Sequence, residues 1–307
     1  MAPDNARYHS RVVVRDCDRR TLTAIVLLAC GFAAVYWQVL RSLVNDWITD
    51  GNYSHGFLIV PIALYFVWER RQTLVNLPLA PSLAGLVIFA CSIALLAAGL
   101  LGSEFFLSRV AMIGTLAGMI VFLLGWAHLR ALTFPLAFLL LMIPLPAILF
   151  NQIAMPLQLL ASQVGAFVIA LCGIPVIREG NIIVLAHRTL EVAEACSGIR
   201  SLVSLIAVAL TFGYLADSRG WIRTLVVLSA VPVAIATNGA RIAGTGIVAQ
   251  WLGDQAGEKF FHDFSGWALF VVAVAIIVLV QRALARTSAR RDPAAIGEAQ
   301  VSHARAH

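Results

Sequence analysis

Apolar runs of about twenty residues recur along most of the chain, and no other feature leaves so few folds open. A helix rises about 1.5 Å per residue, so about twenty apolar residues cross the hydrocarbon core of a bilayer. A segment in lipid must satisfy its backbone polar groups internally, so repeated runs of this kind predict an all-α polytopic membrane protein. Composition agrees: 60% of the 307 residues are hydrophobic and 12% are charged. The net charge of +6 sits mostly in tails and short loops. There it reports orientation and contact with anionic membrane lipid. No basic groove with interleaved aromatics is visible, and no nucleic-acid partner is expected. The five cysteines are scattered, with no disulfide framework and no CxxC pair, so no metal or other cofactor is expected.

The pattern predicts about eight transmembrane helices with both termini cytoplasmic. Residues 1–20 form a basic cytoplasmic tail, 21–281 a single integral-membrane domain, and 282–307 a second basic tail expected to be disordered. The first apolar run follows a long polar stretch and lacks a small-residue cleavage site, so it is read as a span rather than a signal peptide. Spans are expected near 21–40, 55–68, 82–101, 105–124, 154–171, 197–215, 224–251 and 264–280. Polar loops are expected at 41–54 and 252–261. The seventh span is expected to be interrupted at Pro232 and at Thr237–Arg241. The apolar stretch from Ala131 is cut off after about thirteen residues by Pro144-Leu145-Pro146, too short to cross. Residues 131–150 are therefore read as a re-entrant or interfacial element. Short alternating runs at 173–195 predict a small external β-hairpin.

Chemistry concentrates in Leu190–Leu205, L-E-V-A-E-A-C-S-G-I-R-S-L-V-S-L. Glu191 and Glu194 lead into Cys196, and Ser197 is a good N-cap for the helix that follows. A helix N-terminus favours the thiolate, and Arg200, four residues on, adds positive charge. The alternative reading makes Cys196 a small buried hydrophobe, as Cys30 and Cys91 are expected to be. Topology places other polar groups at the same outer depth: His55 at the start of span two, Asn238 and Arg241 three residues apart in span seven, and His262 at the start of span eight. Each has a plainer alternative. The histidines could sit at the lipid interface, Arg241 could snorkel or tie down carbonyls, and Glu191 and Glu194 could pair with Arg178 and Arg188. Together, a cysteine, a histidine and an arginine suit acyl transfer: thiolate attack, proton handling and oxyanion stabilisation.

Three blocks resemble the exosortases. They are N-Y-S-H-G-F-L-I-V-P at Asn52–Pro61, the stretch from R-E-G-N-I-I to E-A-C-S-G-I-R-S-L at Arg178–Leu202, and N-G-A-R with F-F-H-D-F-S-G-W, ending at Trp267. The resemblance implies a catalytic trio of Cys196, Arg241 and His262, with Arg200, Asn238, His55, Glu194 and Ser197 supporting it or binding substrate. It implies a cysteine transpeptidase of the bacterial inner membrane whose active site faces the periplasm. Its substrates would be exported proteins with a C-terminal sorting signal: a Pro-Glu-Pro motif, a transmembrane helix and a basic cluster. Exopolysaccharide-synthesis proteins are further expected partners. Two alternatives remain: a protease that uses water as acceptor, and a non-enzymatic transport subunit for polysaccharide export.

Overall fold

A computed structural model of the chain describes residues 19–186, 189–191, 199–216, 219–252 and 254–291. The chain divides into two compact units, Met1–Asn45 and Asp46–His307. In the first, α1 (Arg19–Val35) is followed, after a break at Tyr36, by α2 (Trp37–Thr49), which continues into the second unit. The two helices are bent by 69°. The expected loop at 41–54 is therefore mostly helix. Val39, Leu43 and Trp47 recur at intervals of four and are all buried, the stripe of an amphipathic helix whose polar residues had suggested a loop.

In the second unit, α3 (Gly56–Glu69) and the short α4 (Arg71–Asn76) precede α5 (Ala84–Leu101) and α6 (Phe105–Leu123). The α5–α6 pair packs backbone to backbone. A Cβ on Gly85 would overlap Phe122, and one on Gly118 would overlap Phe89. Helix α7 (Trp126–Phe138) passes into a 3-10 turn at Leu139–Met142, and α8 (Ala147–Leu171) follows. The expected element at 131–150 thus has no boundaries of its own. Its start continues α7 and its last four residues open α8. The break falls at 143–146, where Pro144 and Pro146 have no N–H to donate.

The expected hairpin is a three-stranded antiparallel sheet, β1 (Val176–Glu179), β2 (Ile182–Leu185) and β3 (Thr189–Glu191), in that order. Its first turn uses Gly180 at φ +65° and is docked on α8 by Ser162 Oγ, which donates to the Gly180 carbonyl at 2.9 Å. Ile183 and Leu185 are buried with Ala161 and Ile169 of α8.

Three helices complete the unit: α9 (Ile199–Ala216), α10 (Gly220–Leu252) and α11 (Asp254–Arg291). Contrary to the sequence expectation, α10 is continuous for 33 residues, through Pro232 and through Thr237–Arg241. Pro232 is accommodated as prolines in membrane helices commonly are, and Thr237 Oγ1 donates to the Val233 carbonyl at 2.8 Å. Gly239 does not break the helix. It lets α8 approach, for its Cα faces Val164 and the Ala161 carbonyl. The expected loop at 252–261 is also largely helical, because α11 begins at Asp254. The helix then runs to Arg291, ten residues into the segment read as a tail.

The described residues include five helices long and apolar enough to cross a membrane, or six with the bent α1–α2 pair. Eight were expected. With that pair counted, the shortfall of two reflects α3, with 14 residues, and the short apolar stretch Arg200–Leu215 of α9. Contacts give the second unit two ends. At one, Tyr214 stacks on Phe134 at 4.0 Å and meets Phe66, with Arg70 and Arg223 over its ring at 5.1 and 5.3 Å. At the other, His55 of the turn before α3 meets Leu141. Thus α3 and the segment 126–142 run antiparallel between the same two ends. Along α8 and α10, Val164 lies on Gly239 and Gly165 on Ile242. These pairs advance together, so α8 runs parallel to α10, away from the arginine-rich end.

Candidate active site

The N-Y-S-H block forms a fastened turn. Asp50 caps a 3-10 turn at Gly51–Tyr53, its carboxylate accepting from Asn52 N at 2.8 Å. Ser54 Oγ donates back to the Gly51 carbonyl at 3.1 Å. Two bonds tie the block to the segment before Pro144. Trp47 Nε1 donates to the Met142 carbonyl at 3.0 Å, and His55 Nε2 meets the Leu141 carbonyl at 3.0 Å. A carbonyl only accepts, so the His55 proton is on Nε2. Gly56 leaves room for the Trp47 indole, which any Cβ there would overlap. Tyr53 packs beside Phe150, and burial, then the Asp50 charge, raises its phenol above the usual tyrosine range. On the far side Asp46 Oδ2 accepts from Arg109 Nη2 of α6 at 2.6 Å. Arg109 is 3% exposed.

Arg200, in the first turn of α9, closes over this block. Its guanidinium lies against Gly51, where a side chain would overlap it. Arg200, which ends A-C-S-G-I-R, and Gly51, which directly precedes N-Y-S-H-G-F, thus meet although far apart in sequence. Cys196, Ser197 and Glu194 lie outside the described residues.

A second cluster sits between α10 and α11. Asn238 is buried, and its Oδ1 accepts from Arg241 Nη2 at 2.6 Å, the same-face pair expected from their spacing. The Arg241 guanidinium faces Gly266 of α11, where an added Cβ would sit 3.8 Å from Nη1. Position 262 is one helical turn before Gly266. The two clusters are linked by packing: Leu202 of α9, Ala234 of α10 and Ala273 of α11 belong to one buried core.

Of the expected site residues, the structure brings Asn238 and Arg241 together, seats His55 on Leu141, and places Arg200 on a partner that sequence did not indicate. Gly51, Gly56 and the Asp46–Arg109 pair were missed. Arg109, an arginine inside an apolar run, was the one detectable signal among them. Among the described residues, no three His, Cys, Asp or Glu side chains gather as a metal site.

Comparison with known families matches the transmembrane exosortase profile to residues 47–279, about three quarters of the chain. No curated protein and no solved structure matches. The matched range contains the turn at Gly51, the segment with Cys196, the α10 pair and position 262. The chain belongs to the transmembrane exosortase family.

Proposed function

We propose that this exosortase is a cysteine transpeptidase that cleaves the C-terminal sorting signal of exported proteins. The observation that carries the reading is the packing of Arg200 on Gly51. It holds Arg200, four positions after Cys196 in sequence, against the turn at Gly51. In the proposed reaction the Cys196 thiolate attacks a peptide carbonyl, and Arg241 donates to the oxyanion that develops. The C–N bond then breaks, His262 gives a proton to the leaving amine, and a thioester remains on Cys196. A nucleophile on the acceptor attacks the thioester and gives its proton to His262, and the thiolate returns. Water in place of that acceptor makes the same enzyme a protease.

The substrate signal is proposed to be a Pro-Glu-Pro motif, a transmembrane helix and a basic cluster. The site is proposed to face the periplasm from the inner membrane of a bacterium that makes exopolysaccharide. Mass spectrometry of a candidate substrate's new C-terminus, with wild type and Cys196→Ser, tests this. Cleavage and a trapped thioester should need Cys196. Full processing by Cys196→Ser would remove the cysteine mechanism.

A further inference from the structure

Strand β3 pairs with β2 on one side, and among the described residues no strand lies on its other side. That side presents backbone N–H and C=O groups outside the ladder. Its depth makes this informative. Strands β1 and β2 rest on α8, a helix long and apolar enough to cross a membrane. Ser162, which holds the turn at Gly180, lies about 13 Å short of the last residue of α8, Leu171. Val164, half a turn further along α8, lies on Gly239, so the turn at Gly180 is level with the Asn238–Arg241 pair. In the register of the sheet Glu191 opposes Ile182, just after that turn. Strand β3 therefore runs towards the turn and ends beside it, at the depth of Arg241. Five positions on, the chain reaches Cys196, within about 18 Å of Glu191 by chain length alone. An open sheet edge is not tolerated against lipid, where its backbone groups find no partner. The free side of β3 must therefore face a polar partner or a cavity. The opposite edge, β1, is two strands away, about 10 Å.

We propose that the free side of β3 takes the substrate as an added strand, pairing with the backbone of the extended peptide next to the bond that Cys196 attacks. A peptide unwound for cleavage at this depth has the same need as the edge, because its N–H and C=O groups also lack partners there. Each satisfies the other, and the main-chain bonds hold the peptide whatever its side chains are. Strand spacing places that peptide about 4.8 Å from β3, along the path that leads to Cys196 and at the depth of Arg241. The proposal rests on the peptidase reading above and adds how the peptide is held.

The test uses full-length protein in lipid nanodiscs and synthetic peptides that join a randomised segment to an apolar transmembrane helix. Mass spectrometry identifies a cleaved sequence, which is then remade with one backbone nitrogen methylated at a time. With wild type, methylation should lower kcat/KM about tenfold or more at alternate residues beside the cleaved bond, and much less at those between. On the protein, neighbouring residues of β3 turn their N–H groups to opposite sides. Leu190→Pro therefore removes a donor from one side, and Thr189→Pro or Glu191→Pro from the other. Proline on the side bonded to β2 should lower thermal stability. Proline on the free side should leave stability unchanged and lower kcat/KM about tenfold, and it should add little to the loss from methylating the opposing peptide residue. If the proline variants fail to fold, the methylation series on wild type still decides. Methylation losses without alternation, or losses that multiply with every proline, overturn the proposal and leave the peptidase reading intact. A cross-link between two copies through Thr189→Cys that peptide does not displace also overturns it, since the edge would then pair with a second copy. Wild type no more active than Cys196→Ser on every peptide sinks the peptidase reading, and this proposal with it.

Discussion

At the scale of single residues, Arg241 is set for a directional task. One nitrogen of its fork is bonded to buried Asn238, and the group faces Gly266, which presents no side chain. An ammonium could keep the charge but not bond Asn238 while also facing α11. Arg241→Lys is therefore predicted to lower kcat on the order of 10²-fold, the loss typical of one oxyanion donor. Asn238→Ala should show a smaller loss of the same kind, read in the same cleavage assay. The two histidines should separate by pH. His55 Nε2 is occupied by the Leu141 carbonyl, so His55→Ala should lower thermal stability and leave the pH profile of cleavage unchanged. His262→Ala should lose on the order of 10²-fold or more in rate and flatten the profile between about pH 5 and 8. A flattened profile in His55→Ala would transfer the proton role to it. The Asn238–Arg241 pair was legible because helical spacing encodes it. Arg200 on Gly51 was not, because no local period relates residues in different elements.

At the scale of elements, an ion pair joins α2, just before the turn that receives Arg200, to α6. Arg109 is nearly fully buried, and Asp46 Oδ2 pairs with it at 2.6 Å. Removing the carboxylate strands a guanidinium in a low-dielectric interior, which costs more than the pair itself contributes. Asp46→Asn should destabilise by roughly 3 kcal/mol, the low end for a broken buried pair because Asp46 keeps some contact with solvent. Asp46→Asn with Arg109→Leu should recover much of that loss, in thermal unfolding in detergent. Without such recovery, the cost would lie elsewhere than in the uncompensated charge. Helix existence was readable from apolar runs, but helix ends were not. Polar residues in α2 and the start of α11 looked like loops, and Pro232 looked like a break. In each case burial of one face or backbone bonding within the helix outweighed the local signal.

At the scale of the molecule, the second unit is polar at two opposite places, and their separation predicts its orientation. Arg70 and Arg223 share the Tyr214 ring, and Arg70 Nη1 also donates to the Ala131 carbonyl at 2.7 Å, so the ends of α3 and α9 and the starts of α7 and α10 lie together. Arginines gathered at one end predict that it is the cytoplasmic one. The turn at Gly51, the 3-10 segment and Arg200 occupy the other end, and α8 runs on from there beside α10. The crossing expected at 154–171 lies within α8, which is long and apolar enough to span, and the segment 126–142 also joins the two ends. Reporter fusions after residues 71, 130, 219 and 290 should read cytoplasmic, and fusions near 48, 185 and 256 external. The fusion at 185 decides most, because Leu185 is buried in the cluster that holds Ile242 and Ala243, one and two residues past Arg241. A cytoplasmic signal there, with 71 and 219 also cytoplasmic, would put the candidate nucleophile on the side where exported substrates are not found. The proposed sorting reaction would then have no access to its substrate.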